Sequence, residues 1–131
     1  MAHMMARVTN PSVLTNTSFV SYIPASPDAY TRRGFDHAYL LAKEFASFTH
    51  LPLISVFSRP RAQDQRELSK TERANNMRNA FKLLNVSSLE DESVLLVDDV
   101  RTTGATLTCA AELLLEAGCK NVNAVTFARV P

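Results

Sequence analysis

The stretch Val94-Leu95-Leu96-Val97-Asp98-Asp99-Val100-Arg101-Thr102-Thr103-Gly104-Ala105-Thr106-Leu107 constrains this chain more than any other. From Ser93 to Val97 it is apolar almost without interruption, as expected of a strand covered by helices on both faces. The run predicts a strand that ends in two adjacent carboxylates, followed by a short Thr/Gly loop that opens a helix. In open α/β sheets, ligands bind beyond the carboxyl ends of the strands. Such a loop offers free backbone N–H groups, Thr hydroxyls and the positive end of a helix dipole, a combination suited to a phosphate. Two carboxylates would repel that phosphate, so they should face groups that donate hydrogen bonds. Sugar hydroxyls are the natural candidate. A pair of solvated Asp in a turn explains neither the doubled acid nor the Thr-rich loop. A Walker-type nucleotide loop is disfavoured because no Gly-Lys-Ser/Thr is present, and a dinucleotide fingerprint because the spaced glycines are missing.

The rest of the chain supplies elements of the matching kind. Phe19 to Ile23 reads as a short strand stopped by Pro24 and Pro27. From Phe35 to Phe48 the residues Ala38, Leu41, Ala42, Phe45 and Phe48 recur at helical spacing, with Asp36 near the start. Leu53 to Phe57 is a second short apolar run and predicts a strand. Between Ser58 and Lys82 lie seven of the 14 Lys and Arg residues, against three acids, and Ser69-Lys70-Thr71-Glu72 has the spacing of a capping box. Thr106 to Ala117 repeats Leu107, Ala110, Ala111 and Leu114 at helical spacing and stops at Gly118, where a terminating glycine belongs. Asn121 to Ala128 closes the chain as a strand. Strand and helix alternate with connections too long for hairpins. The expected fold is therefore α/β, a mainly parallel sheet flanked by helices, with right-handed crossovers.

Length and composition fit one domain. The chain has 131 residues, 46 % of them hydrophobic, with 14 Lys+Arg against 13 Asp+Glu. That balance excludes a uniformly basic nucleic-acid clamp and leaves any charge-driven partner to a local patch. Cys109 and Cys119 cannot build a zinc site alone, and the expectation is two free thiols in a reducing compartment. No apolar run approaches the ~18 residues of a membrane span, and no signal-peptide pattern is present. A soluble, cytoplasmic protein is expected. Only three glycines occur, where average usage would give about nine, so Gly34, Gly104 and Gly118 should sit where the backbone needs them. Met1-Ala2-His3-Met4 resembles a cloning scar, leaving residues 5–131 as a single domain.

The stretch around Asp98 and Asp99 resembles the phosphoribosyl-diphosphate signature of the type I phosphoribosyltransferases. Beyond it, Ile23-Pro24, Arg33-Gly34-Phe35-Asp36-His37-Ala38, Arg59-Pro60-Arg61, Gln65, Arg73, Asn76 and Ala128-Arg129 are similar to the ComF family of competence-associated, predicted phosphoribosyltransferases. The resemblance covers about Val20 to Arg129. Family members often carry Asn-Gln where this chain has Asp36-His37. They usually begin with a cysteine-rich zinc module, which is absent here, so the chain is either a trimmed form or a short one.

The resemblance implies a type I phosphoribosyltransferase fold and a Mg²⁺-dependent transfer of phosphoribosyl from 5-phosphoribosyl 1-diphosphate to an unidentified nitrogenous acceptor. It implies that Asp98 and Asp99 accept hydrogen bonds from the ribose hydroxyls, and that one of them can also touch Mg²⁺ otherwise held by the substrate. Arg101, Thr102, Thr103, Gly104, Ala105 and Thr106 would wrap or flank the 5-phosphate. Arg32, Arg33 and Gly34 would meet the pyrophosphate. Arg59 and Arg61 would act from a loop, Ser58 to Ser69, that closes over the reacting sugar. In relatives that act on 6-oxopurines an Asp stands at the place of Thr102, which argues against hypoxanthine or guanine as acceptor. Duller readings stand beside these: the arginines as solvated turn residues, the basic stretch as a solvated or nucleic-acid-binding surface, His37 as a cap or packing residue, His50 as a helix-end cation. The alternative function is a non-catalytic accessory protein that binds phosphoribosyl diphosphate or single-stranded DNA in the competence machinery. A homodimer is allowed, and no membrane span is expected.

Overall fold

The computed structural model describes residues 10–24, 31, 34, 36–58, 82–84, 86–101 and 105–129. They form α1 (Pro11–Asn16), β1 (Phe19–Tyr22), α2 (His37–Thr49), a single 3₁₀ turn (Val86–Ser88), β2 (Ser93–Arg101), α3 (Ala105–Glu116) and β3 (Asn121–Arg129). The strands make a parallel sheet in the order β1-β2-β3. No helix among the described residues is long and apolar enough to cross a membrane.

The alternation of β2 divides the core in two. Val94 and Leu96 face Leu107, Ala110 and Leu114 of α3, whereas Leu95 and Val97 face Leu41, Ala42, Phe45 and Ala46 of α2. The four β2 residues are at most 1 % exposed. Burying each contributes about 1.5–3 kcal/mol, so an uninterrupted apolar run is stable only in a central strand with a helix on either side. That arrangement places the amino ends of α2 and α3 toward the carboxyl edge of the sheet.

Local chemistry sets the helix ends. Asp36 caps α2, its carboxylate accepting from the Tyr39 N–H at 3.2 Å. α3 ends where Gly118, at φ +103°, donates its N–H to the Leu115 carbonyl and Cys119 donates to Leu114, both at 3.1 Å. This pair of bonds is the Schellman stop. α2 uses the same pattern with a histidine: His50 stands at φ 58°, its N–H reaching Ser47 at 3.4 Å, while the Leu51 N–H reaches Ala46 at 3.1 Å. His50 is thus the left-handed residue of a helix stop. α1 was not foreseen, although Asn10-Pro11 carries its signal: the Asn10 side chain accepts from the Ser12 N–H at 2.9 Å and Pro11 opens the helix.

Two expectations need correction. β2 does not end in the acidic pair. It continues through Asp98 and Asp99 to Arg101 because β3 runs alongside it as far as Arg129. The expected strand Leu53 to Phe57 is instead two isolated bridges. Leu53 pairs parallel with Val20, flanked by Val20 N–H to Pro52 at 2.8 Å and Ile54 N–H to Val20 at 2.9 Å. Phe57 pairs antiparallel with Leu83, flanked by Leu84 N–H to Val56 and Ser58 N–H to Lys82, both at 2.8 Å. The run changes partner midway, so no single ladder grows. The helix expected from Ser69 lies outside the described residues.

Candidate functional site

Among the described residues, the sequence-derived candidates on β2 and α3 lie at the carboxyl edge of the sheet. β1 ends at Tyr22, opposite Val97, whereas β2 and β3 continue together beyond it. Asp98 is therefore the first β2 residue past the last β1 pair. It is half-buried and in register with Thr126 of β3. By alternation from Val94 and Leu96 it lies on the α3 face. Thr106, in the first turn of α3, is half-buried too. Ala105 opens that helix, so the connection from β2 is limited to residues 102–104.

On the α2 face the same edge carries Tyr22 and Tyr39, whose rings meet edge to face at 5.4 Å between centroids. The Tyr22 hydroxyl lies 3.2 Å from that of Ser55. Asp36 is only 9 % exposed while capping α2. The ring contact staples the amino end of α2 to the end of β1, and it was not anticipated from the sequence because it joins residues on separate elements.

Of the predicted site residues, the structure brings Asp98 and Thr106 to one face of this edge, and carries the backbone of Asp99, Arg101 and Ala105 there. Gly34 is described as an exposed residue at φ +75°, with open space where a Cβ would stand. The left-handed backbone, and not crowding, explains glycine at that position. Arg32, Arg33, Arg59, Arg61, Thr102, Thr103 and Gly104 lie outside the described residues, as does the loop expected to close over the sugar. Among the described residues no group of three or more His, Cys, Asp or Glu side chains converges on one point. Asp98 supplies hard oxygen donors of the kind Mg²⁺ takes, and a Mg²⁺ ion here would draw its remaining ligands from substrate oxygens and water.

On the α3 side of the sheet, both cysteines are buried free thiols. Burial, and after it the nearby Glu92 carboxylate, push the Cys119 thiol above its ordinary value.

A parallel sheet with an acid near the carboxyl end of its central strand, and a helix opening shortly beyond that strand, presents an edge at which open α/β sheets bind ligands. The phosphoribosyl transferase domain model matches residues 29–131, and the chain belongs to that family. Its curated relatives are competence proteins of the ComF type: it is 39 % identical to ComFC of Bacillus subtilis, over 82 % of this chain and 42 % of that protein. It is 33 % identical to ComFC of Streptococcus pneumoniae, over 82 % of this chain and 46 % of that one. With the DNA utilization protein YhgH of Escherichia coli K12 the identity is 34 %, over 76 % and 44 %. The chain thus spans less than half the length of these relatives. Among solved structures, the allosteric regulatory enzyme of purine biosynthesis superposes with a TM-score of 0.65 at 20 % identity, covering 96 % of this chain and 24 % of that one. A Staphylococcus aureus hypoxanthine phosphoribosyltransferase gives 0.56 at 11 %, covering 99 % and 73 %. At these identities the likeness concerns the fold.

Proposed function

We propose that this domain binds 5-phosphoribosyl 1-diphosphate across the carboxyl edge of its sheet and transfers the phosphoribosyl group to a nitrogenous acceptor, with Mg²⁺ as cofactor. The observation that carries the reading is Asp98: half-buried, held in a strand beyond the end of β1, and facing the side on which α3 begins. A carboxylate so placed accepts hydrogen bonds from sugar hydroxyls while the amino end of α3 attracts the 5-phosphate. Asp99 would take the neighbouring hydroxyl. Thr102, Thr103, Gly104, Ala105 and Thr106 would hold the phosphate, with Arg101 beside them. Arg32, Arg33 and Gly34 would meet the pyrophosphate, and Arg59 and Arg61 the leaving group as its charge develops.

In the transfer the acceptor nitrogen forms a bond to the anomeric carbon as the bond to the diphosphate oxygen breaks, and pyrophosphate departs with the electron pair. The sugar passes through an oxocarbenium-like state, as in glycoside cleavage. The residues of the chain hold acceptor, sugar and leaving group in line, neutralise the departing charge and keep water out. Asp98 or Asp99 is the protein group that would touch a Mg²⁺ ion, which when bound would supply charge neutralisation at the pyrophosphate.

The names of the relatives, competence protein and DNA utilization protein, favour a second reading. In it the domain binds phosphoribosyl diphosphate or single-stranded DNA as an accessory of DNA uptake and turns nothing over. Exchange of labelled pyrophosphate into phosphoribosyl diphosphate, run beside a thermal-shift titration with and without Mg²⁺, separates the two. Mg²⁺-dependent stabilisation with exchange supports transfer. Stabilisation without exchange supports the accessory role, and steeply salt-dependent single-strand binding marks its DNA-binding form. The double change Asp98→Asn and Asp99→Asn should fold normally and lose a few kcal/mol of donor binding, at about 1.5–3 kcal/mol per hydrogen bond to a charged group. Unchanged donor affinity in that variant would refute the site.

A further inference from the structure

The α3 face of the sheet is built in ranks that cross all three strands. Phe19, Val94 and Val122 make the first and Ser21, Leu96 and Ala124 the second. The third consists of Ile23, one residue past the last β1 pair, then Asp98 and Thr126. The first two ranks offer one hydroxyl, that of Ser21, which is buried. At the third rank β2 and β3 turn polar together, and β1 does not: Ile23 is buried in the apolar cluster under α3. Cross-strand neighbours on one face stand within reach of each other, so the β3 side is where Asp98 has a polar neighbour in its own rank. That neighbour is Thr126, half-buried, while Ala124 below it is exposed, which leaves the surface beside the pair open to a ligand.

We propose that Thr126 is a sugar-contacting and specificity-determining residue of this site, its hydroxyl bonding to the ribose hydroxyl beside Asp98. Threonine suits the place on three counts. Its hydroxyl can donate and accept at once, its β-branched carbon is at home in a strand, and a short side chain keeps the hydroxyl at the height of the Asp98 carboxylate. Placed in this way, Thr126 adds a contact to the ligand beside that of Asp98. A site built around a substrate hydroxyl rejects an analogue that lacks it, because its own polar groups are then left unpaired.

This inference rests on the proposed donor site, and the test separates the two. Calorimetric titration of the full chain with phosphoribosyl diphosphate, ribose 5-phosphate and pyrophosphate is compared for wild type, Thr126→Val and Thr126→Ser. Valine keeps the shape and removes the hydroxyl; serine keeps the hydroxyl. Thr126→Val is expected to weaken phosphoribosyl diphosphate and ribose 5-phosphate about five- to tenfold, the size of one lost hydrogen bond, with pyrophosphate binding and the melting temperature unchanged. Thr126→Ser should stay within about twofold of wild type on the same scale. If wild type binds the donor and Thr126→Val binds it equally well, the role of Thr126 falls and the donor site stands. Equal losses in the serine and valine variants would assign the effect to the methyl group and also overturn the proposal. A wild type that binds neither sugar phosphate overturns both readings.

Discussion

The two helix stops at the amino edge of the sheet test the fold without touching the proposed ligand site. Both use the same pair of hydrogen bonds, but one has Gly118 and the other His50 in the left-handed residue. A side chain in that conformation costs about 1–2 kcal/mol. Glycine avoids that strain but loses about 0.5–1 kcal/mol more chain entropy on folding than alanine. His50→Gly should therefore stabilise the protein by about 0.5–1 kcal/mol. Gly118→Ala should destabilise it by about 1–2 kcal/mol, the larger change because φ +103° lies well beyond the left-handed minimum near +57°. Steric overlap contributes little, since the added Cβ would stand 3.6 Å from Glu90, an ordinary contact. Asparagine keeps a side chain but tolerates the left-handed backbone, so His50→Asn should fall between wild type and His50→Gly. Urea denaturation followed by circular dichroism reads these differences as shifts in midpoint at constant slope. For a domain of this size each kcal/mol moves the melting temperature by about 3–5 °C. A destabilised His50→Gly, or a Gly118→Ala variant as stable as wild type, would refute the account of both stops. Donor binding should be the same in all three variants.

The Ser21 hydroxyl is fully buried and has no hydrogen-bond partner among the described residues. Ser21→Ala should therefore be neutral or stabilising, by up to about 1 kcal/mol, because an unmet buried hydroxyl is itself costly; a clear loss in a urea titration would contradict that. The raised Cys119 thiol predicts the direction of alkaline sensitivity. A thiol whose value is higher in the fold contributes stability that is complete below its ordinary value of about 9.0 and is lost as the pH rises through the folded value. Stability should thus fall above about pH 9 in wild type and fall less in Cys119→Ala, and parallel slopes in the two proteins would remove Cys119 as the cause.

The parallel sheet and the strands and helices that build its core were legible in the sequence because each rests on local chemistry. An unbroken apolar run needs cover on both faces, so Val94 to Val97 announced a central strand. Gly118 after a helical repeat announced a stop. Tertiary structure alone decided what depends on a partner strand or a distant contact. β2 extends through Asp98 to Arg101 because β3 supplies hydrogen-bond partners there, and no property of residues 98–101 announces that. Leu53 to Phe57 failed to become a strand because its two ends pair with different neighbours. His50 takes a backbone conformation that its own chemistry disfavours because the hydrogen bonds closing α2 and the docking of Leu51 against the core hold it there. Thr126 became a candidate only through register: its place beside Asp98 follows from backbone pairing between strands separated by a whole helix, a relation that no local pattern encodes.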